Sequence, residues 1–309
     1  MAAIEIRAAG KDYGQNTVLS DIDLSVHESH CVALIGHNGA GKTTLMKLIL
    51  GLIQPTRGRI EVLSHDPATA GPEFRALIGF LPENVAFHDQ LTGRDTLRFF
   101  ARLKGAEMQE VEDLLNRIGL MRAADRRVRT YSKGMRQRLG LAQALIGKPK
   151  LLLLDEPTTG LDPVLRNEFF EIIRELTSGG TTVLLSSHVL TELEARTDMA
   201  AIMRDGRLVA YGDLETLRRK SQLPATVRVR GDASAISGVL NGAFQKTLPP
   251  DRDYIDVTCA LPEKMDLLRR LTECGECTDV EVRLPTLDDL YLHFSGRSIS
   301  TGSQMEQMP

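Results

Sequence analysis

Three features of the chain predict an α/β fold built on parallel strands. The apolar runs at residues 31–35 and 151–154 are strand-length and show no polar alternation, the pattern of strands buried on both faces. A glycine-rich turn, GHNGAGKT at residues 36–43, follows the first run directly. Between residues 31 and 196, strand-like and helix-like stretches alternate, which implies parallel strands. At 309 residues with 42% apolar content, the chain exceeds one typical domain and has material for more than one core. The expected class is therefore α/β: a phosphate-loop domain with a β-rich lead-in and a helical subdomain, followed by a small C-terminal α+β domain.

Residues 4–7 alternate like an edge strand, and after the polar turn around Gly14 a second alternation runs over 18–26. These make the lead-in to the buried strand 31–35, and the turn 36–43 opens a helix over 44–52. A short strand is predicted at 59–63 and a helical turn at 73–78, leading into Gly79-Phe80-Leu81-Pro82. Across 93–119, Leu97, Phe100, Ala101 and Leu103, then Val111, Leu114, Leu115 and Ile118, recur at helical spacing and predict a helical insert. A helix after Ser132 carries Leu139, Leu141, Ala142 and Leu145 and stops at Lys148-Pro149. Strand 151–154 comes next, then helix 164–176 ending at Gly179-Gly180, strand 181–186 and helix 190–196. The composition shifts at RRKSQ, residues 218–222. Beyond it, strands at 226–230, 254–259 and 280–284 and helices at 264–274 and 287–294 predict an α+β appendage. The division is 1–220, with the helical subdomain at about 84–148, and 221–294. The polar stretch 295–309, poor in aromatics, is expected to be disordered.

A formal net charge of −3 gives no basic footprint and argues against nucleic acid as a partner. No apolar run approaches the roughly 20 residues that span a bilayer, and the N-terminus lacks a charged-then-apolar signal, so a cytoplasmic location is expected. Four scattered cysteines do not make a disulfide framework.

GHNGAGKT fits G-x-x-x-x-G-K-[ST], and a strand before it with a helix after it are the flanks of a phosphate-binding loop. Glycines let the backbone curl until its N–H groups converge on an anion, and the helix adds the positive end of its dipole. Gly36, Asn38, Gly39, Ala40, Gly41, Lys42, Thr43 and Thr44 form the expected cradle, with Lys42 reaching the β- and γ-phosphates and the Thr43 hydroxyl ligating Mg²⁺. The run Leu151-Leu152-Leu153-Leu154-Asp155-Glu156 delivers two carboxylates at the carboxyl end of a buried strand, where ligands sit in open parallel sheets. Asp155 is expected to hold Mg²⁺, usually through water, and Glu156 to polarise the water that attacks the γ-phosphate in line. Taken singly, several positions have plainer uses. Asp-Glu-Pro can cap a helix, Ser132 caps its own helix, Tyr13 can be a surface aromatic at a turn, and His188 can be a capping polar residue.

YSKGMRQR at 131–138, together with GHNGAGKT, Asp155-Glu156-Pro157-Thr158, Gly160-Leu161-Asp162 and an isolated His188 after a strand, resembles the ATP-binding subunits of ABC transporters. The five motifs occur in family order and cover residues 1 to about 220. The resemblance implies an ABC-type nucleotide-binding domain with ATP and Mg²⁺ as ligands, and ATP hydrolysis with Glu156, His188 and Lys42 in catalytic roles. It implies a head-to-tail homodimer that sandwiches ATP: Ser132 and Gly134 touch a γ-phosphate held by the other subunit, and Asp162 lies across the interface. His188 contacts the γ-phosphate as a switch, and Tyr13 stacks on adenine. The implied partners are integral membrane permease subunits and, through the permease, a periplasmic accessory protein, with the chain peripheral on the cytoplasmic face of the inner membrane.

Two departures from the family pattern stand out. Glu83 occupies the place of a glutamine that usually contacts the metal and the membrane partner; it can ligate Mg²⁺ but cannot donate a hydrogen bond. The signature reads Ser-Lys-Gly-Met instead of Ser-Gly-Gly-Gln, so Lys133 adds a charge and Met135 removes an amide, as in exporter-type or maturation-type members. More narrowly, MKLILGL, LPENVAF, ARLKGA, AADRRVRTYSKGMRQRLGLAQAL and TLDDLYLHF resemble the Nos-type ATPases that serve copper-site assembly of nitrous oxide reductase, although gliding, antibiotic-resistance and sodium-export ATPases share many of these words. The pair Cys274 and Cys277 invites a Cu(I) site, since soft thiolates favour that ion. With no further ligand cluster beside them, they are read instead as incidental cysteines at a helix end, and Met305 and Met308 carry still less weight. A soluble ABC ATPase of translation or DNA repair usually carries two cassettes or a long coiled coil, and this chain has one cassette and no heptads. A subunit that binds ATP without turnover is disfavoured by Glu156 and His188.

Overall fold

The chain opens with two long antiparallel strands, β1 (Ala2–Tyr13) and β2 (Asn16–His27), whose inward Ile4, Ile6, Leu19, Ile22, Leu24 and Val26 are all buried. The computed structural model describes residues 1–240, 244–247 and 254–296. After these strands come β3 (Cys31–Ile35), α1 (Lys42–Ile49) and β4 (Arg57–Val62). β4 pairs with the free side of β1, giving a three-stranded sheet in the order β2-β1-β4. The stretch expected at an edge is therefore the middle strand. Alternation reports which face of a strand is wet, here the face bearing Glu5 and Arg7, and says nothing about which side carries a ladder.

The remaining elements of the first unit, Met1–Gly212, keep to the α/β alternation. They are α2 (Pro72–Ala76), β5 (Ile78–Leu81), α3 (Gly93–Lys104), α4 (Met108–Arg117), α5 (Lys133–Leu145), β6 (Leu151–Leu154), α6 (Pro163–Ser178), β7 (Thr182–Ser186), α7 (Leu190–Leu193), β8 (Met199–Arg204) and β9 (Arg207–Gly212). A six-stranded sheet runs in the order β5-β6-β7-β3-β8-β9. Every pairing is parallel except β8 with β9, which form a hairpin closed by Asp205 and Gly206, both at positive φ. Two left-handed residues in a row make the reversed turn that matches strand twist. β3, β6 and β7 are buried throughout, as expected of parallel strands covered on both faces.

The helical insert is three packed helices, with α3 resting on α4 and α5. Thr92 caps α3 by accepting from the Asp95 N–H (3.0 Å), and Gly105 ends it in the left-handed conformation. α5 lies directly on β5. A Cβ at Gly79 of the strand would come 2.2 Å from the Ala144 carbonyl oxygen, and one at Gly140 of the helix 2.7 Å from Leu81 Cδ1 and 3.1 Å from both Val85 methyls. Glycine at both positions is what allows the approach.

The second unit begins at Asp213, which caps α8 (Leu214–Ser221) by accepting from the Thr216 N–H (2.6 Å). Composition placed the division after residue 220. The helix groups with the C-terminal elements because it packs on α11 (Leu287–Phe294), with Arg218 donating to the Pro285 carbonyl at 2.7 Å. Between the two helices lie β10 (Ala225–Gly231), α9 (Ala233–Leu240), β11 (Gln245–Thr247), β12 (Tyr254–Cys259), α10 (Lys264–Glu273) and β13 (Cys277–Arg283). The sheet is antiparallel in the order β11-β12-β10-β13, the βαββαβ arrangement of a ferredoxin-like domain. One face of β10 supplies Ala225, Val227 and Val229 to a core shared with Ile236, Ile255, Val257, Leu267 and Leu271. On the other face Arg228 forms a two-toothed pair with Asp256 (2.8 and 2.9 Å) and sits 3.8 Å from the centre of the Tyr254 ring. Leu267→Ala is expected to cost this unit about 2–5 kcal/mol. Native-state hydrogen exchange of the β10 and β12 amides measures it, and unchanged protection would remove Leu267 from the core. Ser295 and Gly296 close α11, while residues 297–309, the rest of the expected tail, lie outside the described residues. Among the described residues no helix is long and apolar enough to cross a membrane.

Candidate active site

The glycine-rich loop leaves β3 at Gly36, where a Cβ would lie 2.8 Å from the Met203 carbonyl oxygen, and enters α1 through Gly41. Gly39 and Gly41 have φ of 89° and 102°, a region closed to other residues without strain. No side chain caps α1, which leaves its first-turn N–H groups and its positive dipole end directed at the loop's concavity. Lys42 is only 7% exposed, and its ammonium donates to the Gly36 carbonyl (2.5 Å) and, more weakly, the His37 carbonyl (3.4 Å). Burial pushes its pKa below the usual lysine value, while the charges of Glu156, Asp155 and Glu83 pull it back up. Lys42 is thus a buried cation held by backbone oxygens and facing three carboxylates.

A cavity of about 360 Å³ gathers Asn38, Gly39, Gly41, Lys42, Thr43 and Thr44 of the loop with Glu83, Asp155 and Glu156; Val18 and His37 complete its wall. Asp155 is 5% exposed at the end of β6. The Thr43 hydroxyl donates to its Oδ2 at 3.0 Å, and the Ser186 hydroxyl donates to its Oδ1 at 2.7 Å. Glu156 has a φ of 49°, an unfavourable left-handed conformation for a glutamate that costs about 1–3 kcal/mol. Its N–H donates to Ser186 Oγ (2.9 Å), and its Oε2 lies 2.6 Å from Nδ1 of His188. The glutamate side chain is 12% exposed and the histidine 62% exposed, so the pair reaches from the cavity wall to the surface. A hydroxyl and two carboxylates, Thr43, Asp155 and Glu83, are hard oxygen donors lining the one cavity, and their chemistry fits a Mg²⁺ ion carried with phosphate oxygens.

The other expected site residues lie away from this cavity. Ser132 caps α5, its Oγ accepting from the Met135 N–H at 3.2 Å, and Asp162 caps α6, accepting from the Leu165 N–H at 3.0 Å. The two caps are neighbours: Gly134 faces Leu161 and Leu165, and Lys133 lies over Gly160 so closely that a Cβ there would come within 2.8 Å. Tyr13 is 49% exposed beside the β1–β2 turn, with the Lys11 ammonium 5.1 Å from its ring centre. Gly36 and Ala40 shape the loop from behind without lining the cavity. One set of expected residues therefore converges on one cavity, and a second set, Ser132, Gly134 and Asp162, forms its own cluster. Two contributors escaped the sequence. One is Ser186, and the other is Gln137, whose buried amide donates to the Pro157 carbonyl (2.9 Å) and ties α5 to the turn after Glu156. Ser186 showed only as a polar residue closing an apolar strand, and Gln137, flanked by Arg136 and Arg138, gave no signal of its burial.

Known proteins share this sequence and fold. The family model described as ABC transporter matches residues 19–159. The chain is 38% identical to the daunorubicin resistance ATP-binding protein DrrA3 of Streptomyces coeruleorubidus, over 95% of this chain and 96% of the relative. It is 33% identical to the Nod factor export ATP-binding protein I of Cupriavidus pinatubonensis, over 96% and 92%. A solved structure of an ATP-binding subunit of an ABC transporter superposes with a TM-score of 0.67 at 33% identity, covering 71% of this chain and 92% of that one. With its phosphate loop, adjacent carboxylates and His188 in family order, the chain belongs to the ATP-binding and ATP-hydrolysing subunits of ABC transporters.

Proposed function

We propose that the chain works as a dimer to drive an exporter-type membrane permease. The observation that carries this reading is the single cavity in which Lys42, Thr43, Asp155 and Glu156 meet, with His188 bonded to Glu156. In it the loop amides and Lys42 take the β- and γ-phosphates of ATP. Thr43, Asp155 and Glu83 hold Mg²⁺, which supplies charge neutralisation on the phosphates when bound. Glu156 accepts the proton of the attacking water, and His188 holds the carboxylate that does so. Ser132, Gly134 and Asp162 serve the nucleotide of the partner subunit, a role supported by their place outside the chain's own cavity. Tyr13 stacks on adenine. The export direction is supported by relatives named for drug resistance and Nod factor export that match along nearly the whole chain. The chain then sits on the cytoplasmic face of the membrane, with no nucleic acid partner. Affinity purification from membranes tests this: a polytopic membrane protein is expected to co-elute and to change the ATPase rate, whereas full, unstimulated activity with no membrane partner would overturn it.

A second, narrower reading is supported by the segments shared with Nos-type ATPases, LPENVAF and TLDDLYLHF among them. On it the permease, with a periplasmic accessory protein, serves the copper site of nitrous oxide reductase. The ATPase has no need to touch that metal. Burial and the neighbouring Cys274 push the Cys277 thiol up to about 11, and among the described residues no third ligand gathers beside the two cysteines. Cys274→Ser with Cys277→Ser is therefore expected to leave both ATPase activity and reductase maturation intact. Glu156→Gln should yield reductase made in normal amount but short of copper. Full copper loading in the Glu156 variant would eliminate the Nos reading and leave the exporter reading standing.

A further inference from the structure

Ser186 ends β7 fully buried, and no role in hydrolysis falls to it from the sequence motifs. We infer that Ser186 is a positioning residue of the hydrolytic centre, fixing the carboxylate of Asp155 and the backbone turn at Glu156 so that both acids face one cavity. The inference rests on the proposed roles of Asp155 as metal holder and Glu156 as base.

β6 delivers Asp155 and Glu156 in succession. On extended chain, successive side chains point to opposite faces. A strand running straight on would put one carboxylate at the cavity and the other across the sheet. Both line the cavity, because the chain leaves the extended conformation at Glu156, where φ is 49°. That turn takes the Glu156 N–H out of the ladder, and a buried amide must find another acceptor. Ser186 provides it. Parallel pairing of Leu154 with Leu185 places Ser186 one residue further on, beside the turn. Its Oγ accepts from the Glu156 N–H at 2.9 Å and donates its one proton to Asp155 Oδ1 at 2.7 Å. With the proton committed to one acid and a lone pair to the amide of the next, the hydroxyl has a single orientation. Asp155 Oδ1 is occupied, so Oδ2 accepts from the Thr43 hydroxyl and is the oxygen that would hold the metal. Alanine at 186 would leave a buried N–H and a buried carboxylate oxygen without this partner.

The test uses the full-length protein with ATP. Ser186→Ala is expected to lower kcat and to raise the Mg²⁺ midpoint for hydrolysis, each by about tenfold or more, the usual effect of removing a group that orients a metal ligand. The KM for ATP should stay within about twofold, because the phosphate loop is untouched. Mn²⁺ affinity of the nucleotide complex, followed by electron paramagnetic resonance, should fall in parallel. Ser186→Thr, which keeps the hydroxyl, should recover most of both losses. Ser186→Cys keeps the volume but weakens the donor and should fall between; parent-like values in it overturn the inference even where the alanine variant does not fold. A folded Ser186→Ala variant with kcat and metal midpoint within twofold of the parent overturns it directly, as does a threonine variant no better than alanine. Parent-like turnover in Glu156→Gln would instead remove the underlying reading, so the two failures are distinguishable.

Discussion

Glu156→Gln is expected to cut steady-state ATP turnover by about 10²- to 10⁴-fold while leaving ATP affinity close to the parent's, the scale of a lost general base. The amide is nearly isosteric with the carboxylate and retains an oxygen toward His188, so the 2.6 Å contact can persist in weaker form. What the amide cannot do is take a proton from the attacking water. Lys42, Thr43 and the loop glycines are unaltered, so nucleotide still binds and closes the dimer. An ATP-bound dimer should therefore accumulate on size exclusion with the variant and dissociate with the parent. Turnover within tenfold of the parent would assign the proton to another group and leave Glu156 a structural partner of His188.

The second large effect separates two halves of the catalytic apparatus. Ser132→Arg should abolish hydrolysis, with a loss of at least about 10²-fold, yet leave ATP affinity of the isolated monomer within about twofold. The arginine would sit at the N-terminus of α5, where the serine now caps the helix, and its bulk would occupy the space offered to the partner's nucleotide. Loss of the cap costs about 1 kcal/mol, too little to unfold the unit. Lys42→Ala should behave in the opposite way. It removes the cation that faces Asp155, Glu156 and Glu83 and leaves phosphate opposite uncompensated carboxylates, so monomer affinity itself should fall by about 10²-fold or more. Titration of each variant with a fluorescent ATP analogue at monomer concentrations decides between the two arrangements. Equal loss of affinity in both would place Ser132 in the chain's own site and contradict the shared one.

How much of the fold and the site was legible in the sequence depends on how local each feature is. The phosphate loop declares itself in eight consecutive residues, since strand, glycines, lysine and helix are all neighbours in the chain. Strands β3, β6 and β7 were legible because burial on both faces leaves a run with no alternation. The hairpin β8–β9 passed unnoticed even though Asp205-Gly206 is a turn signal, because Met199–Arg204 is mostly alanine and methionine, residues with little strand preference of their own, and ends in charge. β1 was misplaced at an edge because a ladder partner fifty residues away leaves no trace in a strand's own pattern. Ser186 is the clearest case. Its importance comes wholly from β7 lying beside β6 in one register, and from a turn at Glu156 that no residue type announces.

The glycine seating of α5 on β5 bears on how force moves through the first unit. With less than a methyl group of clearance at Gly79 and again at Gly140, strand and helix have no slack to slide or tilt independently. Glu83 lies just past the end of that strand, and Ser132 caps that helix about 12 Å along the axis from Gly140. Packed this closely, strand and helix would move as one piece. On the proposed roles of Glu83 and Ser132, a shift of the Glu83 segment would be passed to Ser132 through this close strand–helix contact. One added methyl at either pivot would loosen the linkage while leaving both ends chemically intact.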